Sequence, residues 1–142
     1  MEERLYKLRG LVEGEAEAEL LVLTRPLSLY GELDPETGRI HGNGSAAGKV
    51  LAMPGTRGST VGSYILYAAA RNGVAPRGIV VAKAEPILVA AAVMAETPLA
   101  EGLPPSALEE LAEKNCWARL SVQPPYALLR LRCSHNASEP GS

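Results

Sequence analysis

The stretch KVLAMPGTRGSTVGSYILYAAARNG, residues 49–73, carries an apolar run, a polar turn and a second run whose apolar residues recur at helical spacing. Residues 49–53 are continuously apolar after the first lysine, which is typical of a short buried strand. The proline and glycines within 54–58 predict a turn. The spacing after the turn predicts a helix over 59–72, and Gly73 is a typical residue to end it.

Ser59 stands at the predicted start of that helix, beside Arg57 and between Gly58 and Thr60. A serine in this position commonly caps the helix by accepting a backbone hydrogen bond. The same hydroxyl is also placed for catalysis, because helix-start N–H groups and a nearby guanidinium both stabilise an anion. The forked guanidinium of Arg57 suits a carboxylate or a phosphate. We therefore expect a site for an anionic ligand at this turn.

A second unusual segment runs from Leu27 to Gly48 and is rich in glycine, proline, aspartate and asparagine. Connections of this length without secondary structure are uncommon in compact domains and are often functional. Near its start, Ser28 offers a hydroxyl, and Gly31 permits close approach of backbone to a ligand. These two residues form either a simple turn or part of the site that contains Arg57.

Apolar patterns elsewhere in the chain predict the remaining elements. The alternation within Ala16–Leu23 is typical of a half-buried strand. The predicted strands are 8–12, 16–23, 49–53, 79–82, 117–122 and 127–131, and the predicted helices are 59–72, 87–95 and 105–114. Hairpin-like strands with few helices favour an α/β domain built on a compact barrel or sandwich with flanking helices, over a run of regular βαβ units.

The composition is that of an ordinary globular protein. The 142 residues include 46% hydrophobic and 21% charged residues, with a formal net charge of -2. We expect one domain over 1–133 and a loose polar tail over 134–142. Basic residues are scattered among acidic ones, which argues against a nucleic acid partner. The oily region 79–95 is too interrupted to span a membrane, and the acidic N-terminus does not resemble a signal peptide, so we expect a cytoplasmic protein.

The chain has two cysteines, Cys116 and Cys133. If Pro124-Pro125 is the centre of a hairpin, these two positions face each other, which would allow a cross-strand disulfide. A proline pair is an unusual hairpin centre, and intracellular disulfides are rare outside hyperthermophiles, so the sequence leaves the bond open. Two thiols are too few to hold a four-iron cluster.

Spaced glycine, proline and polar positions across much of the chain resemble the swivelling small domain of the aconitase X family. The matching positions are Gly14, Pro26-Leu27-Ser28, Tyr30-Gly31, Asp34-Pro35-x-Thr37-Gly38-x-Ile40, Gly48, Pro54, Arg57-Gly58-Ser59 and Gly73-x-Ala75-Pro76. The resemblance runs from about Leu8 to Leu103 and implies a swivelling β/β/α fold like the small domain of aconitase.

The resemblance also implies a hydro-lyase that converts (R)-mevalonate 5-phosphate to trans-anhydromevalonate 5-phosphate in the archaeal mevalonate route to isoprenoids. It implies that this chain is a small subunit, and that a large subunit shares the active site and holds an iron–sulfur cluster of the 4Fe-4S type. Ser59 matches the aconitase serine that acts as an alkoxide base in a Gly-Ser-Ser-Arg-like setting. Here Thr60 replaces the second serine, and Arg57 precedes the base.

Dehydration of a β-hydroxy acid needs a base, a Lewis acid and cations for the carboxylate. This chain has candidates for the first and the third. Ser59 is the expected base, and the expected contacts to a phosphorylated hydroxy acid are Arg57, Gly58, Thr60, Ser28 and Gly31.

Two other functions stay open at this stage. The serine and arginine do not specify the substrate, so the chain also suits another aconitase X dehydratase, such as one acting on cis-3-hydroxy-L-proline. It also suits a noncatalytic assembly module that closes over another protein's site. Lys83 and Glu85 follow a predicted strand and are weaker candidates to line the cleft. His41 and His135 have no companions for a metal site.

Overall fold

The computed structural model describes residues 1–58 and 62–135. In chain order the elements are β1 (Glu2–Val12), β2 (Gly14–Val22), α1 (Leu29–Glu32), β3 (Arg39–Ile40), β4 (Gly44–Ser45), β5 (Val50–Met53), α2 (Gly62–Arg71), β6 (Gly78–Val81), α3 (Pro86–Ala95), β7 (Leu99–Glu101), α4 (Pro105–Leu111), β8 (Lys114–Gln123) and β9 (Tyr126–His135). No helix within the two described ranges is long and apolar enough to cross a membrane.

Seven strands close into a barrel in the order β1-β7-β6-β5-β2-β8-β9, and β3 pairs with β4 in a separate small sheet. The pairs β2/β5, β5/β6 and β6/β7 are parallel. The pairs β2/β8, β8/β9, β9/β1 and β1/β7 are antiparallel. The predicted compact barrel with flanking helices is confirmed. The barrel also contains two βαβ units, β5-α2-β6 and β6-α3-β7, which the sequence interpretation had set aside in favour of hairpins.

Strand β5 is buried on both faces, which explains its continuous apolar run. Val50 and Ala52 belong to the cluster inside the barrel. Leu51 and Met53 point the other way, into a second cluster that includes Leu66 of α2. The strand is therefore fixed between the barrel interior and the helices, and the turn that follows it lies at the edge of the sheet.

Two elements near the start and middle of the chain differ from the predictions. Strand β1 begins at Glu2 instead of residue 8, because its first half pairs along β9. Strand β7, Leu99–Glu101, was missed, because three residues are too few to show a period and its identity depends on pairing with β6 and β1. The long segment 27–48 is not free of structure, since it contains α1, β3 and β4.

The C-terminal elements also differ in their bounds. Helix α4 ends at Leu111, before the predicted residue 114, because Lys114 already pairs with His135 in the β8/β9 ladder. Strand β9 continues through Ser134 and His135, which the sequence interpretation placed in a loose tail. Residues 136–142 lie outside the described part of the chain.

The β8/β9 hairpin has the predicted register. Cys116 faces Cys133 in the ladder, and their sulfur atoms form a disulfide. The turn of the hairpin contains a cis peptide bond between Pro124 and Pro125. Cys116 is 7% exposed and Cys133 is 1% exposed. The disulfide therefore lies within the buried barrel cluster.

Gly10 lies where β1 changes its partner from β9 to β7. Its N–H donates to the carbonyl of Pro125 at 2.9 Å, and the β1/β7 register is irregular between Gly10 and Val12. A Cβ at Gly10 would lie 2.3 Å from the Tyr126 carbonyl oxygen and 2.8 Å from Cγ1 of Val122. Only glycine allows the β8/β9 hairpin to approach β1 this closely. The absence of a side chain at Gly10 therefore permits β1 to pair with both β9 and β7, which completes the barrel.

Candidate active site

The turn after β5 and the residues before α1 lie side by side. The N–H of Leu27 donates to the Gly55 carbonyl at 3.0 Å, and the N–H of Arg57 donates to the Leu27 carbonyl at 3.0 Å. These bonds make an isolated parallel bridge between Leu27 and Thr56. The bridge brings together the two segments that the sequence analysis singled out separately.

Three of the predicted contact residues meet beside this bridge. Ser28 is the N-cap of α1, and its hydroxyl accepts from the N–H of Gly31 at 3.4 Å. Gly58 has a φ of 120°, a conformation that glycine adopts without strain. A Cβ on Gly58 would lie 3.4 Å from the Ser28 Oγ. Ser28, Gly31 and Gly58 therefore form one local surface.

Arg57 is the cation of this surface. Its side chain is exposed, and its guanidinium makes no hydrogen bond or ion pair with another residue of the described ranges. A small cleft beside it is lined by Leu29, Tyr30, Thr56, Arg57, Gly58, Gly62, Glu85 and Ile87. The cleft holds only about 10 Å³, too little for a substrate, so an anionic ligand reaches the guanidinium of Arg57 from the exposed side.

Two predicted site residues, Ser59 and Thr60, lie outside the described residues. The chain is described on both sides of them, at Gly58 and from Gly62, where α2 begins. A Cβ on Gly62 would lie 3.2 Å from the Cβ of Leu29, so α2 starts in close contact with α1. The described residues on either side of the predicted base therefore belong to the same small region.

The remaining candidates divide between the cleft and its surroundings. Glu85 lines the cleft with Arg57. Lys83 is exposed, and its carbonyl oxygen closely approaches Gly55, at 2.8 Å from an added Cβ. His41 follows β3, and its N–H donates to the Glu32 carbonyl at 2.9 Å. Neither Lys83 nor His41 is among the residues that line this cleft.

The sequence analysis missed Arg25 and Glu32. Arg25 forms an ion pair with Glu32, and the N–H of Ser28 donates to the same carboxylate. The Ser28 hydrogen bond and the positive charges of Arg25 and Arg57 lower the pKa of the Glu32 carboxyl. Glu32 therefore stays ionised at a pH that protonates an ordinary glutamate. The capping box places a glutamate three residues after its serine, and Glu32 comes four residues after Ser28, so the sequence carries only an approximate form of that signal.

The chain belongs to the aconitase X swivel domain family, whose sequence pattern it matches over residues 5–125. It is 49% identical over 113 residues to the phosphomevalonate dehydratase small subunit of Aeropyrum pernix, which covers 80% of this chain and 85% of that protein. It is 47% identical over 112 residues to the phosphomevalonate dehydratase small subunit of Thermococcus gammatolerans, covering 72% of this chain and 85% of that protein.

A solved structure shows the same fold. The crystal structure of Thermococcus kodakaraensis aconitase X in its holo form superposes with a TM-score of 0.75 and 34% sequence identity. The match covers 92% of this chain and 99% of that chain. The family and the fold that the sequence pattern predicted are thus confirmed.

Proposed function

We propose that this chain is the small subunit of a hydro-lyase that dehydrates (R)-mevalonate 5-phosphate to trans-anhydromevalonate 5-phosphate. The observation that carries the proposal is the 49% identity to a relative named phosphomevalonate dehydratase small subunit. The names of this relative and of the Thermococcus gammatolerans relative, both small subunits, support a larger partner subunit. Arg57 is exposed beside a cleft of only about 10 Å³, which supports an active site that the partner completes.

Ser59 is the proposed base that removes the carbon-bound proton. An alcohol has a pKa near that of water, about 15.7. A helix N-terminus stabilises an anion by about 2 kcal/mol at most, which lowers a pKa by about 1.5 units. The helix alone is therefore insufficient, and the remaining stabilisation has to come from positive charge and further donors. Arg57 is the cation that this chain supplies, and the partner subunit supplies the rest.

The other residues of the surface bind and orient the substrate in this proposal. The guanidinium of Arg57 pairs with the carboxylate or the phosphate, for which its fork is suited. The Ser28 hydroxyl lies against Gly58 and offers a hydrogen bond to the substrate. Gly31 and Gly58 let the backbone approach the substrate, and Thr60 is the remaining proposed contact.

The proposed iron–sulfur cluster belongs to the large subunit, because the residues of this chain do not fit it. Four-iron clusters are held by cysteine thiolates. Cys116 and Cys133 are joined to each other in the barrel cluster, whereas Leu29 at the cleft belongs to the helix-side cluster. The role proposed for this chain is therefore limited to the base and the substrate contacts.

The test is turnover of (R)-mevalonate 5-phosphate by this chain reconstituted anaerobically with its large subunit, with the product followed by mass spectrometry. We expect trans-anhydromevalonate 5-phosphate from the complex and none from either chain alone. A cluster-loaded wild-type complex that gives no product contradicts the proposed substrate. The same complex is then offered cis-3-hydroxy-L-proline, which tests the other dehydratase of the family.

Gly58→Ala is expected to lower kcat/KM of the complex about tenfold, because the substitution strains the backbone and crowds Ser28. At φ 120° an alanine is disfavoured, and its Cβ would lie 3.4 Å from the Ser28 Oγ. Steady-state kinetics measure the effect. Gly44→Ala is the matched control, because Gly44 has a φ of 86° with nothing within 4 Å of an added Cβ. Equal losses in the two variants would speak against a substrate surface at Gly58.

A further inference from the structure

Arg25, between β2 and α1, ties together segments that are distant in the chain. Its Nη1 forms an ion pair with Oε2 of Glu32 at 2.5 Å and donates to the Pro26 carbonyl at 3.5 Å. Its Nη2 donates to the side-chain oxygen of Asn43 at 2.8 Å and to the carbonyl of His41 at 3.3 Å. Most N–H donors of this guanidinium are engaged, so Arg25 has no free fork for a substrate anion.

Glu32 connects Arg25 to the proposed substrate surface. Its second oxygen, Oε1, accepts from the N–H of Ser28 at 2.8 Å. The hydroxyl of Ser28 in turn accepts from the N–H of Gly31 at 3.4 Å. The Glu32 side chain is 15% exposed, whereas the Arg25 side chain is 42% exposed, so the Glu32 end of the network is the better shielded one. One carboxylate therefore holds Arg25 on one side and the backbone of Ser28 on the other.

Helix α1 has four residues, and a helix this short does not persist without tertiary contacts. Leu27 and Leu29 are buried and hold the apolar side of the segment. The polar side, which carries the Ser28 hydroxyl, is held by Glu32 and Arg25.

We propose that Arg25 and Glu32 form a positioning pair that holds the Ser28 hydroxyl against Gly58. The inference rests on the proposed function, because it assigns these residues an effect on the affinity for the same substrate. Neither residue touches the substrate in this account. Both act through Ser28.

The kinetic test uses Arg25→Ala, Glu32→Ala and the double variant in the reconstituted complex. Each single substitution is expected to raise KM about tenfold and to leave kcat within about threefold, because ground-state contacts are lost. The double variant is expected to raise KM by about the same factor as either single variant, because both substitutions remove one shared interaction. Arg39→Ala and Glu36→Ala are the matched controls, since both side chains are exposed in the same segment.

Three kinetic outcomes would overturn the inference. A lower kcat at unchanged KM indicates a smaller fraction of folded complex, which is a structural effect alone. If KM in the double variant rises by the product of the two single-variant factors, the two residues act independently. Equal effects in the control variants indicate a general response to lost surface charge.

Amide hydrogen exchange on the assembled complex decides the positioning independently of turnover. We expect exchange about tenfold faster in Arg25→Ala and in Glu32→Ala at Gly31, Leu33 and His41, whose N–H groups bond within this network. Unchanged exchange at these amides overturns the inference. If the wild-type complex gives no product from (R)-mevalonate 5-phosphate, the proposed function fails. The exchange result alone then shows whether Arg25 and Glu32 hold the Ser28 segment in place.

Discussion

Ser59→Ala is expected to lower kcat of the reconstituted complex by about a thousandfold, because it removes the group proposed to take the proton from carbon. KM should change little, since Arg57 and Ser28 are the proposed binding groups and remain in place. The measurement is turnover of (R)-mevalonate 5-phosphate, with assembly of the two subunits checked by size-exclusion chromatography.

The control for this variant is Ser106→Ala on α4, an exposed serine outside the proposed site. A helix-capping serine without a catalytic role predicts a different result. Its loss costs about 1 kcal/mol of stability and leaves turnover within a few fold. Such a result would favour the assembly-module function over catalysis by this chain.

Gly10→Ala is expected to lower the free energy of unfolding by about 3 kcal/mol, at the upper end of what overpacking usually costs. The added Cβ would lie 2.3 Å from the carbonyl oxygen of Tyr126, and Tyr126 is held in the β1/β9 ladder by its pairing with Arg9. The position has no positive φ, so the cost comes from contact alone. Urea denaturation of the purified chain, followed by circular dichroism, measures it.

Gly42→Ala separates contact from backbone conformation. Gly42 has a φ of 78° and nothing within 4 Å of an added Cβ, so its substitution costs only the strain of the left-handed region, about 1 kcal/mol. Gly10→Ala should therefore destabilise the chain clearly more than Gly42→Ala. Equal stability of the two variants would mean that β1 relaxes at Gly10 and that the barrel does not depend on this close approach.

The sequence predicted the elements whose pattern is local. The alternation in β2 and the continuous run in β5 are visible in single segments, and the β8/β9 register follows from the centre of the hairpin. The three-residue β7 has no such pattern, because its burial comes from strands on both sides. The length of β1 was underestimated because no residue in its first half is fully buried and the apolar Leu5 is exposed.

The candidate site shows the same division. Ser28, Gly31 and Arg57 are recognisable from residue type and neighbours, but the Leu27–Thr56 bridge that brings them together joins distant parts of the chain. Arg25 was missed because its partners Glu32 and Asn43 lie farther along the chain. A charged side chain between two elements gives no local sign that it has such partners.

The Cys116–Cys133 bond has a consequence for preparing the proposed complex. Reductant that protects an oxygen-sensitive cluster also attacks disulfides, but thiol–disulfide exchange requires that the thiolate reach a sulfur atom. The two cysteines are 7% and 1% exposed, so little of either residue is open to a thiolate while the chain stays folded, and Cys116, which lines a surface pocket, is the more accessible of the two. One anaerobic, thiol-containing buffer is therefore compatible with a reduced partner and an oxidised small chain, provided that the chain is folded before the reductant is added.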